Sequence, residues 1–219
     1  MKLWLTRLNP DTRSQHVIAD LTDVRRLHQR IMSLFPDGQE TTPRASMGVL
    51  YRVEHDNAGG LRILIQSHLA PSGERLPDSY GELASPIILK GLLGTLSHGT
   101  RVTYRITGNP TKRAFGDDPN NPHSRLKKGD LVSLTGEKAE EWWIRRAETA
   151  GLRLHSLTAR PLPDLVSRSD RRRPLTVRAV QFDGTATITN PEAVKQAVTD
   201  GIGRGRAYGC GLLSMLPER

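Results

Sequence analysis

The chain has 219 residues and a formal net charge of +9, with 32 Lys and Arg against 23 Asp and Glu. Leu, Ile, Val and Phe make up about 24% of it, above the roughly 20% floor below which a charged chain stays unfolded, and its Gly and Pro content stays short of the low-complexity range. No apolar run approaches the roughly 20 residues of a bilayer span, the start MKLWLTRLNP lacks the apolar core of a secretory signal, and a lone cysteine, Cys210, rules out an internal disulfide or a cysteine metal cluster.

The length suits one large domain or two of roughly 100 residues. A cytoplasmic protein is expected. The excess of base points to a polyanionic partner, RNA or DNA ahead of a membrane surface. Residues 2–8 alternate apolar and polar side chains and read as a strand, and 10–20 read as a polar loop. Residues 21–35 show helical spacing through Leu21, Val24, Leu27, Ile31, Leu34 and Phe35, with Thr22 or Asp23 as cap and Pro36-Asp37-Gly38 as stop. Residues 47–54 and 61–67 are strand-like and flank a hairpin turn at 55–60. A loop over 71–80, a short helix from Ser85-Pro86 through 93 and a strand over 101–107 complete the order strand, helix, strand, strand, helix, strand. That is the split βαβ, ferredoxin-like order.

The segment 108–129 is polar and Pro-rich, and reads as a linker or mobile loop. The second half repeats the order: a strand over 131–134, a helix over 137–150 ended by Gly151, and a strand over 152–160. A basic loop over 161–174 follows, then a hairpin of 175–182 and 185–188 about Asp183-Gly184. Asn190-Pro191 caps a helix running to about 201, and a Gly-rich loop leads to a strand over 212–216. The reading is α+β, with two tandem ferredoxin-like βαββαβ domains at 1–108 and 130–219, joined by 109–129.

The Gly-rich loop carries Gly201, Gly203, Gly205, Gly209 and Gly211, five glycines in eleven positions. Glycine permits positive φ and close backbone approach, so amides there could converge on a phosphate, with Arg204 and Arg206 adding charge. A flexible connector is the plain alternative. A dinucleotide fingerprint fails, because this loop follows a helix and opens a strand. His28 lies beside Val24 and Ile31 in the first helix, and is either a core histidine or a general acid or base. Arg25, Arg26 and Arg30 lie on neighbouring turns and would attract a phosphate. The seven histidines show no metal spacing and no carboxylate cluster marks a Mg²⁺ site, so no metal or cofactor is expected. Further base sits at Lys112-Arg113, at Arg125, Lys127 and Lys128, and at Arg168, Arg171, Arg172 and Arg173. Positive charge along both halves suits tracking of a nucleic-acid backbone. The aromatic stacking run of single-strand RNA binders is missing, so recognition should lean on backbone charge and the shape of a hairpin stem.

Leu27-His28-Gln29 followed by Leu34-Phe35-Pro36 resembles the first-helix motif of the CasE family, the CRISPR RNA-processing endoribonucleases of type I-E systems. The similarity runs through Gly48-Val49-Leu50-Tyr51-Arg52-Val53-Glu54, Tyr104-Arg105-Ile106-Thr107-Gly108-Asn109-Pro110 and Val180-Gln181-Phe182-Asp183-Gly184. It closes with Gly201-Ile202-Gly203 and Gly209-Cys210-Gly211-Leu212-Leu213-Ser214. The resemblance implies two ferredoxin-like domains, cleavage of CRISPR repeat RNA at the base of a stem-loop, retention of the mature crRNA, and assembly with other Cascade subunits. It puts the catalytic histidine on His28, with attack by a 2′-hydroxyl giving a 2′,3′-cyclic phosphate and a 5′-hydroxyl. Whether His28 acts as acid or base stays open. Some relatives carry a tyrosine where this chain has Arg25, and a lysine where it has Arg206. Arg25 cannot be a general base but can stabilise phosphorane charge. A non-cleaving RNA-hairpin-binding subunit is the rival reading.

Overall fold

A computed structural model describes residues 2–37, 43–55, 60–118, 121–170 and 174–218. In chain order its elements are β1 (Trp4–Pro10), α1 (Gln15–Leu21), α2 (Val24–Met32), α3 (Pro43–Ser46), β2 (Leu50–His55), β3 (Leu61–Ser67), β4 (Gly81–Leu83), β5 (Ile87–Ile88) and α4 (Lys90–Thr95). There follow β6 (Arg101–Gly108), β7 (Thr111–Asp118), β8 (Asn121–Ser133), α5 (Glu137–Thr149), β9 (Leu152–Leu154), β10 (Thr158–Pro161), β11 (Leu165–Ser167) and β12 (Leu175–Val177). The chain ends through β13 (Val180–Ile188), α6 (Pro191–Asp200), a 3₁₀ turn at Arg206–Tyr208 and β14 (Leu213–Pro217).

Two antiparallel sheets organise these elements. The first has the order β2-β3-β1-β4, with β5 also on β1, and the second β10-β13-β6-β14, with β9 also on β13. Both orders are those of a ferredoxin-like sheet, in which the first and third strands lie at the centre. The fold class read from the sequence therefore holds, but its division does not. The strand expected to finish the first domain, β6, pairs with β13 and β14 at the centre of the second sheet. Its place at the first sheet's edge is taken by β4 and β5. These are too short for alternation to be seen, and Ile87 and Ile88 are exposed. The division at residue 108 thus falls after a strand that belongs to the second sheet.

Further expectations change. Residues 109–129 are no linker: β7 and β8 form a two-stranded arm. The polar stretch before residue 21 holds α1, with Val17 and Asp20 buried, and the expected single helix is broken where Asp23 caps α2. Asp183-Gly184 is no hairpin turn but the middle of one long strand, β13, paired with Arg105 and Tyr104 of β6. Gly184 is needed there for space. A Cβ would lie 2.1 Å from the Ser156 carbonyl oxygen, which accepts a hydrogen bond from the Tyr104 hydroxyl at 3.0 Å. The expected strand over 152–160 is two, β9 and β10, and the stretch over 85–93 is β5 followed by α4. The turn residues 56–59 lie outside the described residues.

Each sheet buries one face against its own helices. Leu27 and Ile31 of α2 pack with Leu8, Phe35, Tyr51, Ile63 and Ile65 in the first unit. In the second, Trp142 and Trp143 of α5 pack on Tyr104, Ile106 and Phe182, the Trp143 and Phe182 rings stacking at 5.7 Å. The two units meet through apolar side chains, Leu3 and Leu89 joining the second unit's core, and through charge. In β2 the period of two puts Arg52 and Glu54 on the face opposite Tyr51. Arg52 Nε and Nη2 donate to Glu54 Oε1 at 2.8 and 2.6 Å, and Nη2 also to Ser214 Oγ at 2.9 Å. Its Nη1 donates to the carbonyls of Leu212 and Arg105 at 2.9 and 3.3 Å. All five guanidinium N–H groups are thereby met, which is the condition for a buried charge to be tolerated.

Candidate active site and nucleic-acid interface

The α2 helix carries His28. Asp23 caps it, its Oδ1 accepting from the amides of Arg25 and Arg26 at 2.9 and 3.2 Å. The other oxygen of Asp23 accepts from Ser167 Oγ at 3.0 Å and the Ser169 amide at 3.3 Å, so one carboxylate ties the start of α2 to the second unit. Val24, Leu27 and Ile31 face the core, and His28 and Arg25 sit half-buried beside them. His28 is therefore not sealed in the interior. It lines an open groove of about 620 Å³ together with Gln29, Met32, Arg44, Arg75 and Ala207. The Tyr208 ring stands edge-on to the imidazole at 6.0 Å. Asp37 also lines the groove, and it is engaged by Arg75 at 2.9 Å.

Burial, and secondly the positive charge of Arg44, hold the His28 pKa below its ordinary value. The ring is thus mainly neutral at pH 7, and one nitrogen is available as a proton acceptor. Arg44 is not among the residues that the sequence singles out. Its Nη1 donates to the Val49 carbonyl at 2.9 Å, and its own pKa is lowered by burial and then by the charge of Arg206.

The Gly-rich loop reaches the same groove through Ala207, beside Tyr208. It is internally hydrogen-bonded. The amides of Ile202 and Gly211 donate to the carbonyls of Gly211 and Thr107 at 3.0 and 2.7 Å, and those of Tyr208 and Cys210 both donate to the Gly205 carbonyl. These four amides are spent within the protein, so a backbone phosphate cradle would have to use others of the loop. The glycines serve the path of the chain: Gly201, Gly203, Gly205, Gly209 and Gly211 all have positive φ. At Gly201 a Cβ would also press within 2.8 Å of the Leu50 side chain. The Tyr51 hydroxyl donates to the Ala207 carbonyl at 3.1 Å and holds the loop against the first unit. Arg204 is exposed, and Arg206 Nη1 donates to the Asp200 carbonyl at 2.8 Å.

The other sequence candidates are dispersed. Arg30 is committed to structure, bonded to the buried Asp20 at 2.8 Å and lying 5.0 Å over the Tyr80 ring. Arg26 is exposed and reaches Asp20 at 3.6 Å. Lys112, Arg113, Lys127 and Lys128 are exposed on the β7–β8 arm. Arg171 and Arg172 lie outside the described residues. Among the described residues no group of three or more His, Cys, Asp or Glu could hold a metal ion, and no helix is long and apolar enough to cross a membrane.

The residues missed from the sequence are Arg44, Tyr51, Tyr208 and the second contact of Asp23. A lone arginine after a proline has no pattern to betray it, whereas Arg52 and Glu54 inside an apolar strand did carry a signal of a buried polar face.

Comparison with known proteins agrees with this geometry. The chain is 27% identical to the CRISPR-associated endoribonuclease Cse3 of Thermus thermophilus, over 98% of this chain and all of the relative. It is 28% identical to the CRISPR system Cascade subunit CasE of Escherichia coli K12, over 89% of this chain and 92% of that one. The solved structure of Thermus thermophilus Cse3 bound to an RNA representing a pre-cleavage complex superposes with a TM-score of 0.78 at 25% identity, covering 99% of this chain and 100% of that one. The family model for CRISPR associated protein matches residues 3–217. Two ferredoxin-like sheets, a histidine on α2 and a glycine-rich loop beside it thus agree with sequence matches over almost the whole chain, and the protein belongs to the CRISPR associated protein family, as a member of its Cse3/CasE type.

Proposed function

We propose that this protein is a metal-independent endoribonuclease that cleaves CRISPR repeat RNA at the base of a stem-loop and stays on the mature crRNA as a Cascade subunit in the cytoplasm. The observation that carries this reading is the position of His28, half-buried on the wall of an open groove and facing cationic side chains. A mainly neutral imidazole suits general-base work. His28 takes the proton of the 2′-hydroxyl, the 2′-oxygen bonds to the adjacent phosphorus, and the bond from phosphorus to the 5′-oxygen breaks. The 5′-oxygen leaves by taking a proton from solvent water to become a 5′-hydroxyl, His28 returns its proton to solvent, and the other fragment ends in a 2′,3′-cyclic phosphate. Guanidinium groups at the groove supply positive charge toward the phosphorane, a role a divalent ion fills elsewhere, and this supports metal independence.

The exposed base of the β7–β8 arm suits contacts to stem phosphates. The name of the Escherichia coli relative as a Cascade subunit and the RNA bound to Thermus thermophilus Cse3 support the partners proposed here. The test is incubation of a stem-loop repeat RNA with the protein in EDTA, followed by end-group analysis. A 2′,3′-cyclic phosphate and a 5′-hydroxyl at one bond are expected. Tight binding without cleavage would overturn the nuclease in favour of a binding subunit.

A further inference from the structure

Resting on the nuclease reading above, we infer that Arg44 is the second catalytic group of this site, its guanidinium binding the scissile phosphate and stabilising the charge of the phosphorane beside His28. Three observations carry this. Arg44 lines the same groove as His28, reaching it from α3 while His28 reaches it from α2. Its Nη1 is anchored on the carbonyl of Val49, the buried residue just before β2, so the head group is held in place while, among the described residues, its other N–H donors are left for another acceptor. Among the described residues Arg44 makes no ion pair with a carboxylate. Arg30, Arg52, Arg75 and Arg105 each do.

A half-buried guanidinium with no acid partner among the described residues, near a second one at Arg206, is costly in the free protein. An anion entering the groove relieves that cost. The fork of donors matches two phosphate oxygens, and the interaction strengthens as negative charge grows on them. In the free protein the same charge adds to burial, the larger cause, in disfavouring protonation of His28. The other groups around the imidazole are Arg25 on its own helix, Tyr208 from the Gly-rich loop, and the Asp37–Arg75 pair at the groove, while Arg206 acts on Arg44.

The test compares Arg44→Gln and Arg44→Lys in single-turnover cleavage of stem-loop repeat RNA, with binding measured on an RNA carrying a 2′-deoxy group at the cleavage site. Arg44→Gln keeps a donor for Val49 and loses the charge. It should slow cleavage about 10²- to 10³-fold while binding changes by less than about tenfold. The acid limb of its kcat/KM profile should move up toward the ordinary histidine value of about 6.5. Arg44→Lys keeps the charge and loses the fork. It should recover part of the rate and leave the acid limb where the unaltered protein has it, and this arm carries the test if Arg44→Gln does not fold. Wild-type rates with an unmoved acid limb in Arg44→Gln would overturn the assignment, as would an Arg44→Lys protein whose limb shifts upward. If the unaltered protein fails to cleave, the nuclease reading falls and the assignment falls with it. If the unaltered protein cleaves and only the Arg44 variants behave as wild type, Arg44 alone is overturned.

Discussion

Arginines gather at two places in this molecule. Where the two sheets meet, Arg52, Arg62 and Arg105 find Glu54 and Asp183 at 2.6 to 2.8 Å. At the His28 groove, Arg44 and Arg206 are close enough to repel one another, and among the described residues neither is paired with a carboxylate. The first cluster is complete without a ligand and fixes how the units sit together. The second holds its guanidinium groups on backbone carbonyls and, in the function proposed above, receives the RNA phosphate. Charge count alone does not separate the two clusters, whereas the carboxylates found at the first and not at Arg44 or Arg206 among the described residues do.

The largest effect on stability is expected in the paired cluster. Glu54→Ala leaves Arg52 buried without its counter-charge and should cost about 3–5 kcal/mol in chemical denaturation. A cost below about 1 kcal/mol would mean the junction is not held as described. The same group sets an acid limit. Burial alone would raise the Glu54 carboxyl, but the charge of Arg52 and hydrogen bonds from Arg52 and Arg62 outweigh it and hold the pKa below the ordinary carboxylate value. A folded value below the unfolded one, about 4.3, means the stabilisation is complete above that pH and is lost as pH falls through the folded value. Glu54→Gln should therefore flatten the acid end of the stability profile.

Asp23 joins the two regions, since it caps the His28 helix and holds the segment at Ser167 and Ser169. Asp23→Ala should cost about 0.5–2 kcal/mol, the range for a lost N-cap, in thermal unfolding. Ser167→Ala, which keeps the cap, should cost less; equal losses would show that the tie to the second unit, not the cap, is what matters. The smallest stability effects belong to the arm. Lys127→Ala or Lys128→Ala should leave stability within about 0.5 kcal/mol. Each should reduce the slope of log affinity against log salt for stem-loop RNA by roughly one phosphate contact. An unchanged slope in both would remove the arm from the RNA interface.

Much of this architecture is legible in the sequence. The strand at Leu61–Ser67 and the helix after Asn190, whose side chain accepts from the Ala193 amide at 3.1 Å, follow from local pattern and capping chemistry. His28 stands out because a histidine among Val24, Leu27 and Ile31 must either be satisfied in the core or do chemistry at its margin. What fails is non-local. Strand pairing decides that β6 belongs to the second sheet, and no feature of residues 101–108 records its partners. Asp183-Gly184 carries a turn signature, yet the glycine is there to let Ser156 approach and the aspartate accepts from Arg105 at 2.6 Å. Arg44 becomes visible only when folding carries it to the groove of a histidine sixteen residues earlier in the chain.

The central claim is that His28 moves the proton of the attacking hydroxyl, and His28→Ala tests it most directly. In EDTA, with stem-loop repeat RNA in single turnover, the variant should bind within a few fold of the unaltered protein and cleave about 10²- to 10⁴-fold more slowly. Cleavage by His28→Ala at the unaltered rate and at the same bond would contradict the account.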